Sequence, residues 1–221
     1  FITSLANYLQ DQYNYSTENT FVAGMSNGAE MSYMLACETN EIFKAIAPVA
    51  GTMFGTSWTD CSPESIPVME IHGTNDNVTL WEGDLEDNYW GPYPGIEDVI
   101  SFWVEENNCI SSEDVYLENF NTIKHRYFNC IDNVEVLLYE VVNGTHNWPN
   151  FTAEEIWSFF SSYINTLLGD INDDGLINIL DIIQSVNIIL AVEPYNSLAD
   201  VNNDGMVNVL DIITLVNIIL N

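Results

Sequence analysis

The chain has 221 residues, of which 33 are Asp or Glu and only three (Lys44, Lys124 and Arg126) are Lys or Arg, for a formal net charge of −30. This balance argues against nucleic acid as a partner, since phosphate binding needs basic groups, and disfavours anionic membranes. No apolar run is long enough to span a bilayer, and so acidic a surface stays soluble in salt and attracts divalent cations, which suits an extracellular protein.

Residues Ile2 to Gln12 read as a helix, and the apolar run Thr20 to Ala23 as a strand. Gly24-Met25-Ser26-Asn27-Gly28 follows, then a helix-like segment from Ala29 to Cys37. Strand, G-x-S-x-G, helix is the pattern of a nucleophile elbow, where a serine sits on a tight strained turn with its hydroxyl exposed. Both flanking glycines are expected to remove side chains that would clash there. Ser26 is the candidate nucleophile. The backbone N–H of Asn27, at the helix start, is the candidate oxyanion donor.

Further strands are expected near 44–49 and 67–72. His72 ends the latter and is expected to pack locally. Asp76, on the loop beyond it, is the candidate orienting acid. Asp84 and Asp87 compete with it, and a plain turn cap is its alternative use. Trp81, Tyr89, Trp90 and Tyr93, with Gly91 and Pro92, suggest an insertion near the site whose rings could stack on a substrate. Trp58 and Trp148 could line the same cleft; ordinary packing is the other use for most of them, and Trp148, beside His146, is the favoured substrate contact. His125 lies in a polar strand between Lys124 and Arg126 and is expected to be solvated. Val134 to Val142 reads as a strand, with His146 on the loop after it. Serine, acid, histidine is the chain order of an α/β-hydrolase triad. Ser26 would attack an acyl carbon, His146 would take and return its proton, and Asp76 would fix the imidazole tautomer.

Four segments together resemble the secreted polyhydroxybutyrate depolymerase and feruloyl esterase family: Gly24 to Gly28, Ala45 to Met53, Ile71-His72-Gly73-Thr74-x-Asp76, and Gly144-x-His146-x-Trp148-Pro149. The resemblance covers 1–168 and implies an α/β fold, a partial α/β-hydrolase sheet with flanking helices, and the triad Ser26, Asp76 and His146. The chain departs from the family's pattern at Asn143 and Thr145, which interrupt a glycine-rich run, and at Asn150, where the family often has Gly. The four cysteines, Cys37, Cys61, Cys109 and Cys130, are even in number and lack C-x-x-C spacing, which reads as two disulfides of a secreted protein with three pairings open. The resemblance implies Cys37–Cys61 and Cys109–Cys130. About four strands are legible, against about eight in such hydrolases, and Phe1 is not a natural start. The expectation is therefore an N-terminally truncated hydrolase with an exposed strand edge and an incomplete oxyanion hole, the signal peptide and second oxyanion donor lying outside the chain. Thr152-x-x-Glu155 reads as a capping box opening the last hydrolase helix, rich in Ile156, Trp157, Phe159, Phe160, Ile164 and Leu167.

Residues 170–181 and 200–211 are two copies of one unit. Oxygen side chains fall at loop positions 1, 3, 5, 9 and 12, with Gly at position 6, as in an EF-hand calcium loop. The expected Ca²⁺ ligands are Asp170, Asn172, Asp174, Leu176, Asn178 and Asp181, then Asp200, Asn202, Asp204, Met206, Asn208 and Asp211, with Leu176 and Met206 acting through main-chain carbonyls. Asp replaces the usual Glu at position 12. An apolar helix follows each loop, and no convincing helix enters the second. A duplicated loop-plus-helix unit over 169–221 resembles a type I dockerin, a small all-α domain that folds around two calcium ions and docks onto cohesin. Ile179-Leu180 and Val209-Leu210, at positions 10 and 11, are apolar; they suit either a partner surface or packing between the two repeats. Gly169 is all that separates the two modules. Sequons stand at Asn14, Asn77, Asn143 and Asn150, as expected by chance in so Asn-rich a chain.

Together these features point to a secreted serine esterase acting on carboxylic esters, feruloyl or acetyl esters of a polysaccharide first, with no catalytic cofactor and a cohesin-type partner. A polyester depolymerase with the same triad is the first alternative. A non-catalytic calcium-dependent binding protein is the second.

Overall fold

The computed structural model describes residues 1–13, 15–39, 41–164 and 166–220. The sequon residue Asn14 lies outside the described residues. The chain forms two compact units, one of residues Thr20–Tyr163 and one combining Phe1–Asn19 with Ile164–Asn221. Helix α1 (Ile2–Tyr13) belongs to the second.

The Thr20–Tyr163 unit is built on one six-stranded sheet. Its strands are β1 (Val22–Met25), β2 (Ile46–Val49), β3 (Val68–Gly73), β4 (Ser111–Leu117), β5 (Thr122–Phe128) and β6 (Val136–Val141). They are ordered β1-β2-β3-β6-β5-β4. The first four in that order run parallel, and β5 and β4 are antiparallel. Helices α2 (Asn27–Glu38), α3 (Thr56–Thr59), α4 (Ile96–Glu106) and α5 (Thr152–Ser161) connect or follow the strands.

Strand parity assigns the faces. Val68 of β3 and Val136 and Leu138 of β6 pack in one core with Tyr33 and Ala36 of α2 and Val99, Ile100 and Trp103 of α4. The alternate residues Met69, Ile71, Leu137 and Tyr139 pack with Ile156, Phe159 and Phe160 of α5. β2 and β3 are buried along their whole length, as parallel strands covered on both faces must be. The α/β architecture expected from the sequence is present.

Three local expectations are corrected. The β4–β5 hairpin adds two strands to the four counted, one of them the polar strand read around His125. Its signal is cross-strand charge pairing rather than apolar alternation: Glu113 faces Arg126 and Asp114 faces His125, and β4 is largely exposed. His125 is accordingly not simply solvated, because it bridges Asp114 at 2.9 Å and Glu140 at 3.0 Å. The capping box at Thr152 does not form. Phe151 occupies the N-cap, Thr152 already lies in the helix with its hydroxyl buried and unpartnered among the described residues, and Glu155 accepts a 2.6 Å hydrogen bond from Tyr139 Oη instead. Disulfides join Cys37 to Cys61 and Cys109 to Cys130.

In the other unit each repeat ends in an apolar helix, α6 (Ile179–Ile189) and α7 (Val209–Leu220). Ile171, Ala199, Val201 and Leu215 form its small core. Ile179, Leu180, Val209 and Leu210 are exposed rather than packed between the repeats. A single 3₁₀ turn, Ser197–Ala199, precedes the second loop.

Candidate active site

Parallel register brings the carboxyl ends of β1, β3 and β6 to one edge of the sheet, where open α/β sheets bind ligands. The loops leaving these three ends carry Ser26, Asp76 and His146.

Ser26 sits between β1 and α2 with φ 57° and ψ −121°, a left-handed backbone that a non-glycine residue adopts only where its surroundings force it. Its N–H donates to the Val49 carbonyl at 2.9 Å, and its own carbonyl accepts from Ala29 and Glu30 N–H. The two elbow glycines are not equivalent. A Cβ on Gly24 would overlap the Gly28 backbone, whereas a Cβ on Gly28 would meet open space. Only Gly24 is required for close approach, which corrects the expectation for both. Asn27 opens α2, so its N–H has no carbonyl one turn back to bond. Its side-chain amide donates to Glu30 at 3.0 Å. Burial raises the Glu30 carboxyl above its usual range, against the pull of the Asn27 amide.

Asp76 is buried. Its Oδ1 accepts from Val78 N–H at 2.8 Å and Thr79 N–H at 3.0 Å, and its Oδ2 lies 2.8 Å from Nδ1 of the partly exposed His146. The acid and histidine loops are stitched together by backbone. Asn75 N–H donates to the Gly144 carbonyl at 2.8 Å, Thr74 N–H to Val141 at 3.0 Å, and Asn143 N–H to Thr74 Oγ1 at 2.8 Å. A Cβ on Gly73 would overlap the Gly144 carbonyl. Asn143, one of the departures from the family pattern, holds φ 57°, a left-handed conformation that Asn tolerates better than most non-glycine residues.

The competing acids serve their own loop. Asp84 Oδ1 accepts from Glu86 N–H, and Asp87 Oδ1 accepts from the N–H groups of Tyr89, Trp90 and Gly91. Tyr93 is buried, Trp58 and Trp81 pack against the core, and Tyr89, Trp90 and Trp148 are exposed. Beneath Asp76 lies a polar chain that motif reading passed over. His72 contacts Glu70 and the Thr79 carbonyl, and Glu70 contacts Tyr33. A glutamate inside the apolar run Val68-Met69-Glu70-Ile71 was the available signal.

In the repeat loops, Asp170 accepts from Asp174 and Gly175 N–H, and Asp181 accepts from Ile171, Asn172 and Asn178 N–H. The second loop repeats the pattern with Asp200 and Asp211. Asn178 and Asp181 also form the capping box of α6, so loop closure and helix start share the same atoms. Asp170, Asp181, Asp200 and Asp211 are buried, and no basic side chain occurs in either loop. Burial, reinforced by Asp181 and Asp174, raises the Asp170 carboxyl despite its backbone donors. Among the described residues no three or more Asp, Glu, His or Cys side chains cluster tightly enough alone to hold a metal. The loops carry carboxylates and Asn amide oxygens side by side, the hard-oxygen chemistry that Ca²⁺ selects.

Comparison with known proteins adds family context. Residues 1–124 match the esterase PHB depolymerase family, and residues 168–220 match the dockerin type I domain. The chain is 26% identical to feruloyl esterase B of Piromyces equi over 132 residues, which cover 57% of this chain and 24% of that protein. It is 26% identical to a probable feruloyl esterase C of Aspergillus terreus over 149 residues, covering 64% of this chain and 49% of that one. It thus spans less than half the length of these curated relatives. The fold is also that of an acetyl xylan esterase from Aspergillus awamori, with a TM-score of 0.52 at 14% identity over 72% of this chain and 65% of that one.

Proposed function

We propose that this chain, which belongs to the esterase PHB depolymerase family and ends in a type I dockerin domain, carries the acyl-transfer site of a secreted serine esterase. The hydrolase portion is assigned to residues 1–168 and the dockerin to 169–221. The observation that carries the reading is the 2.8 Å contact between Asp76 Oδ2 and His146 Nδ1, with Ser26 held at positive φ on the loop that leaves the same edge of the sheet. With Nδ1 engaged by the acid, Nε2 is the ring nitrogen left for Ser26.

In this reading Ser26 Oγ attacks the acyl carbon as His146 Nε2 takes its proton. The Asn27 N–H stabilises the oxyanion. Collapse breaks the ester bond, and His146 returns the proton to the departing alcohol. Water then repeats the sequence on the acyl-enzyme and releases the acid. Asp76 holds the tautomer and balances the imidazolium charge.

Feruloyl or acetyl esters on polysaccharide are the favoured substrates, because the relatives above are named for them; Trp148, exposed beside His146, is assigned to contact them. Polyester is the second reading, favoured by the family description. Calcium binding follows from the dockerin, and two ions are assigned, one per loop. Each ion, when bound, neutralises the buried carboxylates of its loop. The partner is a cohesin-type domain outside the cell, which accords with the two disulfides.

A fluorophosphonate probe tests the site. Labelling of the chain that is lost in Ser26→Ala supports the serine, while no labelling leaves only a calcium-dependent binding protein. Release of ferulate rather than hydroxybutyrate separates the two substrates.

A further inference from the structure

Three ionisable side chains, Glu70, His72 and Asp76, have no exposed side-chain surface, and Tyr33 joins them from α2. Uncompensated, so much buried charge would be strongly destabilising. The hydrogen-bond directions show how it is compensated. His72 Nε2 lies 2.9 Å from the Thr79 carbonyl, which can only accept, so Nε2 carries a proton. His72 Nδ1 lies 2.9 Å from Glu70 Oε1. The Glu70 carboxyl also receives Tyr33 Oη–H at 2.8 Å. A donor besides the ring favours the carboxylate over the acid, and a carboxylate there puts the shared proton on Nδ1 and makes His72 an imidazolium.

That ring is aimed at the proposed catalytic acid. His72 Nε2 stands 3.6 Å from Asp76 Oδ2, the oxygen that contacts His146. Thr79 clamps both partners, its carbonyl on the His72 ring and its N–H on Asp76 Oδ1. We propose that Tyr33, Glu70 and His72 form a buried positioning unit in which Glu70 keeps His72 doubly protonated and the imidazolium holds the Asp76 carboxylate turned toward His146. The unit rests on the reading of Asp76 and His146 as a catalytic pair. None of its three members touches substrate.

For His72 the electrostatics agree. Burial works against a charged His72, but the Glu70 contact and charge, the Thr79 carbonyl and Asp76 outweigh it and hold the ring above the ordinary histidine range. For Glu70 burial works the other way: it leaves the carboxyl above its usual range, although His72 and Tyr33 pull it down, so the pair depends on the His72 contact to keep the carboxylate. The ionisable groups around His72 are Glu70 on its own strand, Tyr33 from α2 and Asp76 from the loop, with His146 and Tyr93 beyond Asp76. Trp81 lies edge-on to the ring.

The chain holds only three histidines, so ¹⁵N NMR of the imidazoles across a pH series tests this without relying on activity. In the unmodified chain His72 is expected to show two protonated ring nitrogens through neutral pH. Glu70→Gln should leave His72 with one proton and, by removing positive charge beside Asp76, move the His146 midpoint upward by on the order of half a pH unit. Tyr33→Phe should shift it less, in the same direction. A singly protonated His72 in the unmodified chain would overturn the proposal, as would a His146 midpoint that Glu70→Gln leaves in place. Failure of Ser26 to take a fluorophosphonate would sink the esterase reading alone, because the ring titrations still decide the role of His72.

Discussion

The acid loop after β3 and the two repeat loops use the same device toward different ends. In the repeats, both oxygens of Asp170 and of Asp181 accept backbone N–H groups within their own loop of twelve residues. Asp76 spends one oxygen on the Val78 and Thr79 N–H groups and keeps the other for a histidine 70 residues away. The repeat loops close on themselves. The acid loop is closed just enough to point outward, and what it points at is delivered by the sheet. A short-range site of this kind can be read from spacing, while a long-range one needs the fold that assembles it.

One substitution in each region should break them differently. Ser26→Ala is expected to abolish fluorophosphonate labelling and to lower any ester turnover on the order of 10⁴-fold or more. Ser26→Gly should abolish labelling too, yet leave urea-unfolding stability unchanged or raised by about 1 kcal/mol, because glycine relieves the positive φ.

In the repeats, Asp181→Ala removes the acceptor for three backbone N–H groups and half of a capping box. It should cost about 2–4 kcal/mol and flatten the calcium-dependent circular dichroism signal of the first loop. A chelator should reproduce that loss in both repeats, since calcium binding and folding are coupled in such loops. The labelling rate of Ser26, which lies in the other unit, should be unaffected. A chelator that leaves the spectrum unchanged would remove the metal from the account.

A pair of glycine variants sharpens the contrast within the Thr20–Tyr163 unit. Gly73→Ala forces a methyl into the Gly144 carbonyl and should slow labelling of Ser26 about tenfold or more by prising the acid and histidine loops apart. Gly28→Ala, although inside the serine motif, places its methyl in open space and should change that rate less than about twofold.

The smallest expected effect is on pH dependence. The folded-state pKa of His72 is raised, so its contribution to stability is fully present below the unfolded value of about 6.5 and is lost as pH rises through the folded one. Thermal unfolding of the Thr20–Tyr163 unit should therefore weaken on the alkaline side, and His72→Gln should lack that slope. A Tm that stays level from neutral to alkaline pH in the unmodified chain would show His72 neutral in the fold.

How much was legible follows from range and pattern. The parallel strands announced themselves as apolar runs because both faces are covered. The β4–β5 hairpin did not, because its cohesion comes from Arg126 with Glu113 and Glu135 and from His125 with Asp114 and Glu140, pairs that exist only once the register is set. The same holds for Glu155, whose spacing from Thr152 suited a cap but whose carboxylate is claimed by Tyr139 across the core.

By itself the sequence determined the elbow, the doubled oxygen-rich loops and their helices, since each depends on residues within a few positions and on backbone chemistry that spacing alone dictates. Only the tertiary structure decided that Gly24 and not Gly28 is sterically required, that Gly73 and Gly144 bring Asp76 to His146, and that Tyr33 and Glu70 lie behind His72. Those outcomes depend on which strand ends become neighbours, and burial in a shared core settles that rather than any local motif.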